Sequence, residues 1–317
     1  MEISGILPVY NGAQYIDESL PKILENLNSS DELVIINNGS TDDSIKMLSR
    51  WSNLDSRINL LNLKSPGLVS ALNIGIAESN NNWIARFDID DIYSPERIKL
   101  QRNAIKEESV AIFSDYEFIS NRNKGIGIVP SAISASAVSV SLISSQRTAH
   151  PSVMFSKIAF ESIGGYQEID FPAEDLSLWL KLSRVGELSS IPQKLLQYRL
   201  NSGSISAQNK NQITNKTLLL YKSIGINKKD INDTVASIDS IFKEYDQFSH
   251  NGLRKVLMLR ELMLLKNLDQ LTTKQTTQVN NLKRSKLLKE VFKINNYLEF
   301  SYAFYMKQKR DEYRRKL

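Results

Sequence analysis

The stretch Trp83-Ile84-Ala85-Arg86-Phe87-Asp88-Ile89-Asp90-Asp91 runs from an apolar strand pattern straight into three carboxylates within four positions. Like charges at that spacing repel, and holding them together gains nothing unless something positive sits among them. A hard divalent cation fits, because Mg²⁺ and Mn²⁺ take oxygen ligands and bridge one or two carboxylates to phosphates. The same acids also suit a solvated turn ahead of a helix: Ser94-Pro95-Glu96 is a good helix start, which Asp91 would cap. The rest of the chain decides between these readings.

Working outward, short apolar runs recur with amphipathic segments between them. Residues 3–7 form one such run, stopped by Pro8. Residues 33–36 form a second, ended by Asn37-Asn38-Gly39, and 58–63, 83–87 and 110–113 read as further strands. Residues 14–27 carry helical spacing (Ile16, Leu20, Ile23, Leu24, Leu27), and 41–51, 68–78 and 95–107 also read as helices. This alternation predicts an α/β fold: a mostly parallel sheet flanked by helices. In such sheets ligands bind beyond the carboxyl ends of the strands. Pro8-Val9-Tyr10-Asn11, Asn37-Asn38-Gly39-Ser40 and Asp88-Ile89-Asp90 all fall at those ends.

After Tyr116 the pattern loosens, and residues 131–145, rich in Ser, Ala and Val, suit helix or strand. Residues 174–182 form an amphipathic helix. Beyond about 207 the pattern is helical (218–221, 235–242, 253–265, 282–292, 297–305), which places a domain boundary near Ser206. The expected organisation is a sheet domain over 1–206 and a helical extension over 207–317.

With 317 residues, 41% of them hydrophobic, the chain has enough material for a full core plus an accessory domain. It has no cysteine, which excludes a disulfide framework, a thiolate zinc site and a cysteine nucleophile, and fits a reducing compartment. No basic segment leads into an apolar run at the N-terminus, and no stretch reaches membrane-spanning length, so the expected location is cytoplasmic. The charge is uneven. Residues 281–317 hold 11 Lys/Arg and 4 Asp/Glu, whereas the first 280 hold 29 and 31. A near-neutral body argues against nucleic acid as a partner, and a basic tail suits an anionic surface.

Five blocks in order resemble the inverting family 2 glycosyltransferases with the Rossmann-like GT-A fold, most of all bacterial enzymes of O-antigen, capsule and other surface polysaccharides. They are Pro8-Val9-Tyr10-Asn11; Asn38-Gly39-Ser40-Thr41-Asp42; Asn73-Ile74-Gly75-Ile76-Ala77; Arg86 to Asp91 with Pro95-Glu96-Arg97; and Glu174-Asp175 followed by Trp179-Leu180. Lesser matches are His150-Pro151, Gly164-Gly165-Tyr166 and Tyr198-Arg199. Each block alone is weak; their order and spacing carry the signal.

The resemblance implies a nucleotide-sugar donor and a Mn²⁺ or Mg²⁺ ion. Asp90 would coordinate the metal, with Asp88 on the ribose or the metal's waters. Pro8, Tyr10, Asn11, Asn38, Asn73 and Arg86 would line the donor site. It makes Asp175 the general base that takes the acceptor's proton, with Glu174, Trp179, Gly165 and Tyr166 on the acceptor side. Glu174 and Asp175 also suit a helix N-terminus for its dipole alone. Trp179, four residues after Asp175 and so on its face, reads either as a platform for a sugar or as core.

Two departures stand out. The commoner Asp-Asp pair before Gly-Ser is Asn37-Asn38 here, and an amide can both accept from and donate to uracil, which favours a UDP-sugar. Many relatives carry a histidine two residues after the arginine matching Arg199, and this chain has Asn201.

The tail mixes Tyr297, Phe300, Tyr302, Phe304 and Tyr305 with Lys307, Lys309, Arg310, Arg314, Arg315 and Lys316. Such a segment suits anionic lipid, as an enzyme with a lipid-linked saccharide acceptor would need, making it peripheral on the inner face of the plasma membrane. It equally suits packing on the first domain or on a second copy of the chain as a homodimer. A nucleotide-sugar-forming nucleotidyltransferase is the rival enzyme, although its glycine-rich phosphate loop is missing: only Gly12 falls in 8–13. A non-catalytic membrane- or nucleic-acid-binding module leaves the ordered carboxylates unexplained.

Overall fold

A computed structural model describes residues 1–129, 131, 138, 142, 148–201 and 203–223. The segment 131–145 lies almost wholly outside the described residues. The helices expected at 235–242, 253–265, 282–292 and 297–305, and the basic tail, lie outside them altogether.

Strands β1 (Ile3–Val9), β2 (Glu32–Asn38), β3 (Ile58–Leu63) and β4 (Trp83–Arg86) pair in parallel in the order β3-β2-β1-β4. Helices α1 (Ala13–Glu25), α2 (Ser44–Leu54) and α3 (Leu68–Ala77) connect them. Beyond β4 come β8 (Met154–Ser156), β6 (Ser109–Ile119), β9 (Glu187–Arg199) and β5 (Ile92–Tyr93), with β7 (Gly125–Val129) against β6. Strand β8 runs antiparallel to β4 and β6, while β6 and β9 are parallel. Strands β1, β2, β4, β6 and β9 therefore all end at one edge.

The pleat sorts the core. Ile3, Leu7, Val9, Leu33 and Ile35 point to one face, where Ile16, Leu20 and Ile23 of α1 and Leu48 of α2 cover them. Ile6, Val34 and Ile36 point to the other face, against Val69, Leu72 and Ile76 of α3. That second face also receives Leu176, Leu178, Trp179 and Leu182 of a helix at Glu174–Leu182. Helices on both faces and a mostly parallel sheet are as the sequence predicts.

Several boundaries move for identifiable reasons. Strand β1 does not stop at Pro8 but runs through it to Val9. Its register with β4 ends at Ile6↔Arg86, where Phe87 N donates to Ile6 O at 2.9 Å. Pro8 faces the same flank one step past the ladder, so its missing N–H costs no sheet bond. Helix α2 begins at Ser44 rather than 41, because Asp42 Oδ1 accepts from Ser44 N at 3.0 Å and holds the preceding turn open. The helix expected over 95–107 is shorter and forms α4 (Arg97–Asn103).

Four more α-helices follow among the described residues: α5 (Lys157–Ser162), α6 (Glu174–Leu182), and the short α7 (Ile205–Gln208) leading into α8 (Lys210–Ser223). The boundary expected at Ser206 falls inside α7. Tyr221 of α8 is buried and donates to Leu142 O at 2.7 Å, so α8 rests on the sheet domain.

Candidate active site

Arg86, the last residue of β4, is almost fully buried, and its Nη2 donates to Asp88 Oδ1 at 2.7 Å. The Asp88 N–H donates to the Tyr93 hydroxyl at 2.6 Å, which fixes the turn that follows. Asp88, Asp90 and Asp91 each bring a carboxylate oxygen within 4.8 Å of the others. Crowding has the expected electrical result. Burial first, and then the Asp88 charge, push the Asp90 carboxyl up to about 6. Burial, Asp90 and Asp88 push Asp91 well above the usual carboxylate range.

Asp91 is not a helix cap. The residue before α4 is Glu96, with no side-chain cap bond, and Asp91 turns inward instead. Its Oδ1 accepts from the Arg199 backbone N–H at 2.8 Å, and its buried Oδ2 has no hydrogen-bond partner. Three acids share the turn with Arg86, whose charge is paired to Asp88, and the donor set is all oxygen. That set fits a hard divalent cation.

The end of β9 braces this turn. Arg199 Nε donates to Asp90 O at 2.6 Å, and Asn201 Nδ2 donates to Asp90 Oδ2 at 2.7 Å. The Arg199 guanidinium also lies 5.4 Å from the Tyr15 ring centroid. The bracing by Arg199 has no short-range signal in the sequence, because Arg199 reaches the turn from the distant strand β9.

At the ends of β1 and β2, Tyr10 is 52% exposed, whereas Pro8 is buried in the sheet. Asn11 takes a left-handed backbone (φ 48°), a conformation Asn tolerates. Its Oδ1 accepts from Thr41 N at 2.8 Å, and its N–H donates to Ser40 Oγ at 3.0 Å, tying the two loops together. Asn38 Oδ1 accepts from Gly67 N at 2.9 Å. The oxygen expected to accept from uracil thus already serves the backbone.

Across from the acidic turn stands the N-terminus of α6. Asp175 Oδ1 accepts from Leu176 N at 2.6 Å. Burial raises the Asp175 pKa, while that amide and the Arg86 charge draw it back. Glu174 is buried, its Oε2 has no hydrogen-bond partner, and burial followed by the Asp175 charge pushes its carboxyl up to about 8. Arg86 acts on both carboxyls and on Asp88. The acidic turn and the Glu174-Asp175 pair therefore share one electrostatic neighbourhood, although 83 positions separate Asp91 from Glu174 in the sequence.

Of the two readings of Trp179, sugar platform or core, its surroundings fit core. Trp179 is 1% exposed and packs edge-on against Phe113, with ring centroids 5.1 Å apart. The inward face of a helix laid on a sheet is core, and residue 179 faces it. Asn73 is also committed: Nδ2 donates to Tyr166 O at 2.9 Å and Oδ1 accepts from Tyr166 N at 3.2 Å. Its carboxamide pins the turn at Gly164-Gly165-Tyr166 to α3. Gly165 needs to be glycine there, with φ +66° and a would-be Cβ 2.9 Å from Phe160. Tyr166 is buried, and its hydroxyl lies 2.7 Å from His150 Nε2. Burial and then Arg86 hold His150 neutral, with its pKa well below the usual value.

Residues 4–130 match the family model described as Glycosyl transferase family 2. The chain's relatives include a protein from Haemophilus influenzae named as an uncharacterized glycosyltransferase, 28% identical over 280 residues, which cover 83% of this chain and 86% of the relative. A Rickettsia bellii relative of the same description is 30% identical over 218 residues, or 67% of this chain and 30% of that longer protein. The amylovoran biosynthesis glycosyltransferase AmsE of Erwinia amylovora is 28% identical over 212 residues, 64% of this chain and 78% of AmsE.

Solved structures of the same fold include S. aureus TarS in complex with UDP-GlcNAc, at TM-score 0.58 and 15% identity, covering 99% of this chain and 90% of that one. The mannosyltransferase PcManGT of Pyrobaculum calidifontis, in complex with GDP-Man and Mn²⁺, reaches TM-score 0.57 at 15% identity, covering 97% and 86%. The α/β architecture of this chain, a mostly parallel sheet flanked by helices, matches the GT-A-like fold of both.

Proposed function

We propose that this chain is a metal-dependent, inverting glycosyltransferase. It moves a hexose or N-acetylhexosamine from a UDP-sugar to a hydroxyl of a lipid-linked saccharide in surface polysaccharide synthesis. The observation that carries this reading is the meeting of two carboxylate groups around Arg86: the acidic turn after β4 and the Glu174-Asp175 pair opening α6.

Asp90 and Asp88 are the residues that would hold a divalent cation. Bound there, it would supply Lewis-acid neutralisation of the donor diphosphate as that group departs. Asp175 takes the proton from the acceptor hydroxyl while that oxygen forms its bond to C1 of the sugar and the bond from C1 to the phosphate oxygen breaks. The base stands on the face opposite the leaving group, so one displacement inverts C1 and needs no covalent intermediate. Glu174, neutral at pH 7 with its pKa near 8, can donate a hydrogen bond to the acceptor. Tyr10, exposed just past the end of β1, would face the nucleotide, and its exposure supports that role.

The uridine preference rests on Asn37-Asn38, which lack the carboxylate that guanine's N1–H and exocyclic amine would favour. Stronger inhibition by GDP than by UDP would overturn it. The saccharide acceptor is supported by the naming of AmsE for amylovoran biosynthesis, and the lipid link by the aromatic and basic tail. No described helix is long and apolar enough to cross a membrane; attachment through the tail would be peripheral.

The test is Asp175→Asn. It should bind UDP with Mn²⁺ as the wild type does, yet lose transfer by about 10²–10⁴-fold, the usual contribution of a positioned general base. Retained transfer would move the base elsewhere.

A further inference from the structure

The cation reading leaves open what orients Asp90. Its main-chain oxygen accepts from Arg199 Nε at 2.6 Å, and its carboxylate Oδ2 accepts from Asn201 Nδ2 at 2.7 Å. Asp91 is tied by Oδ1 to the Arg199 N–H, and Asp88 by Oδ1 to Arg86. The three acids are thus anchored separately. Of the two anchors from the end of β9, Asn201 alone holds the Asp90 carboxylate itself. Asn201 in turn sits just past the ladder of β6 and β9, whose register closes at Ile119↔Arg199.

We infer that Asn201 is a positioning residue for the cation: it occupies Oδ2 of Asp90, so that Asp90 offers the ion Oδ1 alone. A carboxylate held this way is a single-oxygen ligand of fixed direction. The remaining positions fall to the diphosphate and water, as Mg²⁺ and Mn²⁺ prefer. This inference rests on the cation reading above and goes beyond it by assigning the group that sets how Asp90 binds. Hydrogen-bond partners of metal ligands typically account for 10- to 100-fold in metal affinity.

The experiment titrates Mn²⁺ into the full chain in the presence of UDP, with bound ion measured by loss of the free Mn²⁺ electron paramagnetic resonance signal. Asn201→Ala and the similarly shaped Asn201→Leu should both raise the Mn²⁺ Kd about tenfold or more. The melting temperature and the UDP affinity at saturating Mn²⁺ should stay unchanged. A merely structural role would lower the melting temperature and would not be rescued by excess metal. Wild-type affinity in both variants, or weakening in Asn201→Ala alone, overturns the inference and leaves the cation reading standing. Failure of the wild type to bind Mn²⁺ in the presence of UDP overturns both.

Discussion

Replacing Glu174 with Gln should make the protein more stable, and increasingly so as pH rises. Glu174 is 6% exposed, its Oε2 lacks a hydrogen-bond partner, and burial with the Asp175 charge lifts its carboxyl to about 8 from 4.5. Between those two values the folded chain holds a proton that the unfolded chain has released. Stability conferred by that proton is fully present below pH 4.5, falls as pH rises, and is lost above pH 8. At about 1.36 kcal/mol per pH unit, the loss across the window is roughly 3–5 kcal/mol. Gln keeps the shape and carries no charge, so the variant escapes this term. Urea unfolding followed by tryptophan fluorescence at pH 5, 6, 7, 8 and 9 reads it. Wild type and Glu174→Gln should nearly coincide at pH 5 and diverge by roughly 3–5 kcal/mol at pH 9, with the variant the more stable. Parallel curves over that range would refute the buried, protonated state of Glu174.

Two further predictions concern the scaffold. Trp179→Ala should cost about 3–5 kcal/mol by leaving a cavity among Phe113, Phe155 and His150, measured by urea unfolding. A variant of wild-type stability with a raised acceptor KM would instead make Trp179 a sugar platform. Gly75→Ala should cost about 1–3 kcal/mol by overpacking, since the new Cβ would lie 2.4 Å from Ile36 Cδ1. A calorimetric melting temperature equal to that of the wild type would contradict the close approach of α3 to β2.

The parallel half of the sheet is legible in the sequence because its strands are short apolar runs with turn residues at their ends. Ile58–Leu63 and Glu174–Leu182 have the same limits in sequence and structure. Strand β9, parallel to β6 and antiparallel to β5, is hidden in the sequence. Strand β9 reads Glu-Leu-Ser-Ser-Ile-Pro-Gln-Lys-Leu-Leu-Gln-Tyr-Arg, and its Pro192 falls where the register jumps from Ser114↔Ile191 to Asp115↔Lys194. A proline inside a strand pattern argues against a strand unless a bulge takes it up, and here one does.

The acidic turn was legible from its charge alone. The partners that tame it were not, because Arg199 and Asn201 lie more than a hundred positions away and reach Asp90 and Asp91 only through sheet pairing. The cap expected of Asp91 and the platform reading of Trp179, left open beside a core reading, have a common source. Each has a role its local helix would explain, a cap for one and a face shared with Asp175 for the other, and tertiary burial overrides both. Asn73 shows the reverse: its oddity inside an apolar helix is a true signal, but of a bracket on Tyr166.

The most direct measurement is donor hydrolysis by the purified protein against UDP-, GDP- and dTDP-sugars, with Mn²⁺, with Mg²⁺ and with EDTA, run beside calorimetric binding of UDP in the presence of Mn²⁺. Metal-dependent release of UDP from one sugar, abolished by EDTA, is expected, together with metal-dependent UDP binding. No release from any donor together with no metal-dependent UDP binding would contradict the proposed function.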